Sequence, residues 1–574
     1  MERAERNPSC LICRRRKKLE PPISGLVAIM CALAAPFYYA RIAIAAGEEE
    51  EEDLDPNIQF FNAGRGWVGT ALKAVFLAGS IQGTETLMTQ ILLHDYYLRV
   101  GDYAQAFLVS GMVARHFQLL QFSLEYDTDI TCRTSKMKAS AKETRRRVGW
   151  ACYLLDALIE CGVDQLRFVS ATDIQVQLPC SEELFVRNIP VPTETLPQGQ
   201  VLPFVNKQSF LADSATANLD LRAYYIRAVV IRSKILRYVK HLQREIPWED
   251  TSQFAQLRNE LQALEGSIPD HYKMSPENTC LLKMAGRLNL YFGLHILLAQ
   301  TYNDLYRVGI SRLVFPHSAT KWIRENAPGE FLHLCHRMCL TKAVAIASWL
   351  QDLWRCDKES LIDLPYAVHA QICSSVLVTT LISWRRFAAE PVLPWLSLDD
   401  YRSMLQSNIQ ILGFLKRYFK AELFHESAAQ ALKQFNRVNG TPSLNPMANA
   451  LIRSNVAAPA SQTAQSGALE YILNPLGTYP MARTQILDPH QTKAIHGEDS
   501  PQSDVEPPAP SSTGPVETIE ERLIAENTAI MADNNVLGPM RCELLNWEDE
   551  LQLMMGMGYP TFMDDSSTQW NYDY

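Results

Sequence analysis

Lys142-Glu-Thr-Arg-Arg-Arg-Val-Gly-Trp-Ala-Cys-Tyr-Leu-Leu-Asp-Ala-Leu-Ile-Glu-Cys161 is the stretch on which the reading of the fold turns. Within it Val148, Ala151, Cys152, Leu155, Leu158 and Ile159 recur at three- and four-residue steps, which places them on one face of an α-helix. The same periodicity predicts helices over Thr86–Val100, Tyr103–Gln121, Leu219–Arg244, Leu281–Arg307, Phe331–Trp354, Tyr366–Phe387 and Tyr401–Tyr418. Strand-like alternation is scarce, hairpin turn signals are missing, and no regular repeat period marks a solenoid. The expected fold class is all-α, a large helical domain over residues 23–437 with breaks at Glu48–Pro56, Thr193–Gln208 and Phe315–Ala327.

The chain has 574 residues, enough for a large core in one big domain or two closely packed ones. A net charge of −9 excludes a protein that coats nucleic acid through bulk basicity, so any such contact must come from a local cluster. Its thirteen cysteines are scattered through apolar helical stretches, the pattern of reduced, buried thiols rather than of a disulfide framework. Ile23 to Ala40 carries no charge and follows a basic run, so a signal anchor is weighed against a core helix. Pro36, five alanines and the lack of another comparable span favour the core helix and no membrane.

Beyond Arg437 the composition changes. Residues 438–540 are rich in Pro, Ala, Ser, Thr, Gln and Asn and read as a disordered linker. Residues 541–574 hold seven acids against one base, interleaved with large apolar groups such as Trp547, Leu551, Phe562 and Trp570. Acidic charge keeps such side chains solvated and available to a partner's groove, so this reads as an activation segment that engages the transcription coactivator machinery.

Gly64-Arg-Gly66-Trp-Val-Gly69 fits a dinucleotide phosphate-binding string, but no strand precedes it, and a glycine-rich turn between helices is expected. His333, Cys335, His336 and Cys339 crowd one helical stretch whose apolar neighbours Leu332, Leu340, Ala343, Ile346 and Leu350 predict packed thiols rather than a metal site. No catalytic triad, zinc-protease motif, phosphate loop or paired-carboxylate constellation is found, which leaves an enzymatic reading without residues to rest on.

At the N-terminus, Cys10-Leu-Ile-Cys13 runs into Arg14, Arg15, Arg16, Lys17 and Lys18. The thiol pair covers half of a zinc site, and the five cations suit phosphates or nuclear import. This segment resembles the first half of the DNA-binding module of fungal Zn2Cys6 transcription factors. Residues 142–161 resemble the same family's regulatory domain: an acid (Glu143), an arginine run (Arg145, Arg146, Arg147), Trp150 and then Asp156. Asp173-Ile174 and Leu178-Pro179 fit its continuation, and Leu92-Leu93 through Tyr97, Gly101, Gly111 and Ala114-Arg115 fit its upstream part. The likeness begins near Leu26, covers roughly residues 24 to 420, and loosens over Leu288–Arg307 and Cys339–Leu350.

The resemblance implies a nuclear regulator of RNA polymerase II genes that takes zinc, binds promoter DNA and can form a homodimer. In the family six cysteines hold two zinc ions. Here Cys10 and Cys13 match, Glu20 stands where the third cysteine belongs, and Cys31 already lies in the apolar helix. Residues 1–22 are thus expected to be a truncated remnant with impaired DNA reading, because such small domains depend on their metal to fold. The alternative is an all-α nuclear scaffold that acts through protein partners. A structural role within the regulatory domain is expected for Glu143, Arg145, Arg146, Arg147, Trp150 and Asp156.

Overall fold

The computed structural model describes residues 24–47, 59–76, 83–126, 137–160, 166–202, 212–242, 246–310, 320–385 and 390–439. The expectations for residues 1–22, 440–540 and 541–574, including Cys10, Cys13, Arg14–Lys18, Trp547, Leu551, Phe562 and Trp570, lie outside the described residues.

The described chain is all-α, as its periodicity predicts. In order come α1 (Gly25–Gly47), α2 (Arg65–Phe76), α3 (Thr84–Arg99), α4 (Tyr103–Leu119), α5 (Ala139–Glu160), α6 (Glu182–Val186), α7 (Ala212–Ala217) and α8 (Leu221–Lys240). Then follow α9 (Gln253–Ser267), α10 (Pro276–Met284), α11 (Leu288–Tyr306), α12 (Thr320–Asn326), α13 (Gly329–Cys356), α14 (Leu364–Trp384), α15 (Leu398–Leu415) and α16 (Glu422–Asn439). Among the described residues the only β pairings are two isolated bridges, Leu124 with Gln175 and Cys180 with Leu219.

One apolar core runs through the whole described chain. α11 lies between α8 and α13, α14 packs on α13, α15 and α16, and α1 to α4 pack on one another. α5 joins the two groups, touching α3 and α4 on one side and α8 on the other. That position explains a departure from the one-sided stripe expected of it. Trp150, Tyr153 and Leu154, off the stripe, are also buried, so the helix body is enclosed all round.

Four expectations are corrected. The helix predicted over Leu281–Arg307 is two helices, because Gly286 adopts φ +63° between α10 and α11. The break expected at Phe315–Ala327 contains α12. The Gly64–Gly69 string is a turn only at its start, since Gly66 and Gly69 lie inside α2. There a Cβ on Gly64 would come 2.1 Å from the Ala32 carbonyl oxygen, so glycine is what lets this turn close on α1.

The fourth correction concerns membrane spans. α14 matches α1 in being long and apolar enough to cross a bilayer, with mean hydropathy 1.3 against 1.7 for Gly25–Ile44. α14 is mostly buried, held by α13, α15 and α16, whereas only 33% of the α1 span is buried. Its buried His369, Gln371, Ser374 and Thr380 mark α14 as a core helix with polar positions.

Candidate functional site

Three consecutive arginines on a helix leave its axis about 100° apart, so Arg145, Arg146 and Arg147 reach three different parts of the domain. Arg145 donates through Nη2 to the carbonyls of Leu120 (2.9 Å) and Gln121 (2.8 Å) and lies over the Phe122 ring, 4.3 Å from its centroid. It thereby satisfies carbonyls at the C-terminal end of α4 that have no partner within that helix. Arg146 donates through Nε to Glu125, at 2.8 and 3.1 Å from the two carboxylate oxygens. Arg147 donates to Glu143 (3.0 Å), to Glu182 (2.8 Å) and to the Cys180 carbonyl (3.2 Å), with its guanidinium 4.1 Å from the Phe185 ring centroid.

The carboxylates continue these contacts. Glu143 Oε1 also accepts from the backbone N–H of Cys180 at 3.0 Å, and Glu125 Oε1 from that of Gln177 at 2.9 Å. Glu182 accepts from Arg222 at 2.9 Å, Arg222 donates to Asp220 at 2.8 Å, and Asp220 accepts from Arg287 at 2.6 Å. The result is one alternating line: Glu125, Arg146, Glu143, Arg147, Glu182, Arg222, Asp220, Arg287. It has four acids and four arginines, so its charge cancels. It runs from the segment after α4, through α5 and α6, to the N-terminal ends of α8 and α11.

Burial works against the charges of Arg146 and Arg147. Glu125 and Glu143 beside the first, and Glu143, Glu182 and Asp220 beside the second, outweigh it and raise both guanidinium pKa values. Asp220 is fully buried, which favours its neutral form, yet Arg222, Arg287 and Arg147 hold its carboxyl well below the usual range. It also caps α8 by accepting from the Arg222 N–H. Cys180, buried beside this network, is a thiol whose pKa burial and Glu143 push up.

Trp150 and Asp156 pin the chain that returns past α5. The Trp150 indole N–H donates to the Gln177 carbonyl at 2.8 Å, and its ring meets Tyr153 edge-on at 5.7 Å. Asp156 accepts from the backbone N–H groups of Phe168 (3.1 Å) and Val169 (2.8 Å). Segment 168–180 is thus fixed by side chains of α5 where a sheet ladder would otherwise do it.

Glu143, Arg145, Arg146, Arg147, Trp150 and Asp156 therefore all face into the domain. Sequence reasoning missed their partners Glu125, 18 positions upstream of Glu143, and Glu182, Asp220, Arg222 and Arg287, 39 to 144 positions downstream of it. Among them Asp220, an acid at the start of the helix expected over Leu219–Arg244, carried a local signal, that of a helix N-terminus.

The crowded α13 residues behave as an apolar helix face. Cys335, His336 and Cys339 are fully buried, and His336 Nδ1 lies 2.7 Å from the Leu332 carbonyl and Nε2 3.0 Å from the Ser383 hydroxyl. Burial pushes both thiols up. Among the described residues no group of three or more His, Cys, Asp or Glu could hold a metal ion. A groove of about 200 Å³ between α13 and α15, lined by Gln351, Trp354, Arg355, Ser407, Gln410 and Ile411, is smaller than ordinary ligand pockets.

Residues 15–265 match the fungal-specific transcription factor domain. The match begins inside the basic run and ends within α9, so it contains the arginine run and most of its ion-pair line. The chain is 30% identical over 301 residues to the Zn(2)-C6 fungal-type transcription factor FTF2 of Fusarium oxysporum f. sp. lycopersici, covering 51% of this chain and 26% of the relative. It is 27% identical over 429 residues to FTF1a of the same organism, covering 73% of this chain and 36% of that one. An uncharacterised transcriptional regulatory protein of Schizosaccharomyces pombe is 27% identical over 215 residues, 35% of this chain and 21% of its own length. The chain thus spans about a third or less of the length of these relatives. No solved structure matches it.

Proposed function

We propose that the chain is a fungal transcription regulator of the kind that carries this domain, a nuclear regulator of RNA polymerase II genes whose own zinc-dependent DNA reading is impaired. The observation that carries the regulatory half is the Glu143–Asp156 signature. Its arginines enter an alternating line of ion pairs that lies, apart from Arg287, inside the matched residues, and this supports a role in holding the domain together rather than in binding phosphates.

The DNA-reading half rests on the donor set. Zinc binds thiolate, and a binuclear cluster needs six of them. After Cys10 and Cys13 the next cysteine is Cys31, which lies on α1 with its thiol pushed up by burial. It is a poor third ligand, and the residues present do not fit the two-zinc cluster. Arg14–Lys18 then supply phosphate attraction without sequence preference. Regulation proceeds through protein partners: coactivators engaged by residues 541–574, and a second copy or a partner chain that brings the complex to promoters.

A reporter assay tests this. Fused whole to a DNA-binding module of known specificity, the chain is expected to raise transcription from that module's site above the module alone. Removal of residues 541–574 should abolish the increase. No change in transcription from the fusion would contradict the regulatory reading.

A further inference from the structure

The α1–α4 group meets the rest of the domain again at the C-terminal end of α3. There Arg99 Nε donates to Asp95 Oδ2 at 2.8 Å, one turn back on the same helix. Arg99 Nη2 lies 3.7 Å from Asp363 Oδ1, at the start of α14. The Arg99 carbonyl accepts from the Lys420 N–H at 2.8 Å, and the guanidinium lies 4.8 Å from the Phe419 ring centroid. Arg99 is buried, so α3, α14 and the link between α15 and α16 converge on one side chain.

Two carboxylates thus share one guanidinium, and among the described residues no other cation pairs with either. Asp363 occupies the N-cap position of α14, where an aspartate ordinarily accepts from N–H groups of the first turn. It makes no such cap bond and turns instead to Arg99 and to the Asn289 amide of α11, 3.4 Å away. The other groups around it do not restore the balance. Tyr225 of α8 and Tyr366 of α14 keep their protons, because burial pushes both hydroxyls up. Glu359, in the turn before α14, is exposed and paired with Arg41, and the Lys420 stem runs past Gly101. His94, beside Asp95 on α3, is neutral.

One negative charge is therefore in excess, and it falls on Asp363. Its side chain is 20% exposed against 31% for Asp95, and it lies farther from the shared guanidinium. Burial, with Asp95 adding to it, outweighs Arg99 and holds the Asp363 carboxyl up at about 6.

We propose that Asp95, Arg99 and Asp363 form a proton-operated latch between the α1–α4 group and the rest of the domain. With one proton on the acid pair the junction closes. With both carboxylates ionised, their repulsion favours an opened junction in which Asp363 reaches water. The sign follows from linkage: between about pH 4 and 6 the closed junction binds a proton that the opened one does not, so closure strengthens as pH falls through this window. Proton concentration thereby becomes an input to the arrangement of the helices. The inference is independent of whether the chain reads DNA.

The test is amide hydrogen exchange of the full chain at about pH 7.5 and about pH 5, corrected for intrinsic rates and read in peptides that contain Asp363 or Lys420. Asp363→Asn fixes the neutral form of the latch. The ratio of its protection to that of wild type should be about 10-fold larger at the higher pH than at the lower. Taking a ratio at each pH removes the opposite contribution of His94, which both chains share. If Asp363→Asn fails to fold, Asp95→Asn, at the more exposed acid, should change its ratio in the same direction by removing the repulsion. A ratio equal at the two pH values, in whichever variant folds, overturns the proposal. A ratio larger at the lower pH overturns it too, since ionised Asp363 would then be holding the junction shut.

Discussion

Glu143 and Arg147 stand one helical turn apart on α5, and the Glu143 Oε1 atom lies 3.0 Å both from Arg147 Nε and from the Cys180 backbone nitrogen. A single carboxylate oxygen therefore joins the helix to the returning chain and to the arginine that carries the charge line onward. With both side chains buried, the pair is an all-or-none element: each partner justifies the burial of the other.

Breaking it from either side should be severe. Arg147→Met leaves Glu143 and Glu182 with a charge that Arg147 no longer offsets and should cost about 3–5 kcal/mol, read as the chemical denaturation midpoint or as loss of soluble protein. Arg147→Lys should rescue little, because an ammonium cannot serve Glu143, Glu182 and the Cys180 carbonyl from one plane.

Trp150→Phe keeps most of the buried ring but strands the Gln177 carbonyl. The expected cost is about 1–3 kcal/mol in unfolding free energy, with faster amide exchange confined to residues near Gln177. Asp156→Asn should act on the other end of the same segment, since an amide oxygen is a weaker acceptor for Phe168 and Val169. Faster proteolysis at Phe168, already 41% exposed, is the readout.

Acid should remove the part of the stability that rests on a neutral, buried His94. Burial holds His94 neutral and pushes its pKa down to about 4, against about 6.5 in the unfolded chain. Between those values the unfolded state binds the additional proton, so stability is complete above pH ~6.5 and falls as pH drops toward 4. His94→Leu should flatten the slope of unfolding free energy against pH by roughly one proton across this window. Asp220, with its depressed pKa, contributes in the same direction at lower pH.

The helices themselves were largely legible, because a period of 3.6 residues is a local property. α5, α13 and α15 lie close to where apolar spacing places them. What the sequence concealed is long-range. The arginine run announced a cluster but not its acids, since Glu125, Glu182 and Asp220 come from separate elements that only the packing brings together. α9 and α16 escaped notice although α16 is strongly two-sided, with Phe424, Ala428, Ala431 and Phe435 buried. Gly286 was read through because one glycine does not interrupt a hydrophobic period, whereas its positive φ does break the helix.

Nucleic-acid binding by the full chain should be non-specific and strongly salt-dependent. Five cations at Arg14–Lys18 give a slope of at most about −4.5 in log K against log salt on duplex DNA. Competition between unrelated duplexes of equal length should show no preference. A tenfold or greater preference for one sequence would require a folded reader.

Zinc content of the purified full chain addresses the central claim most directly. With two of six cluster cysteines in place, elemental analysis after dialysis should find well below one zinc ion per chain. Two tightly held zinc ions per chain would contradict the account and restore a sequence-specific DNA reader.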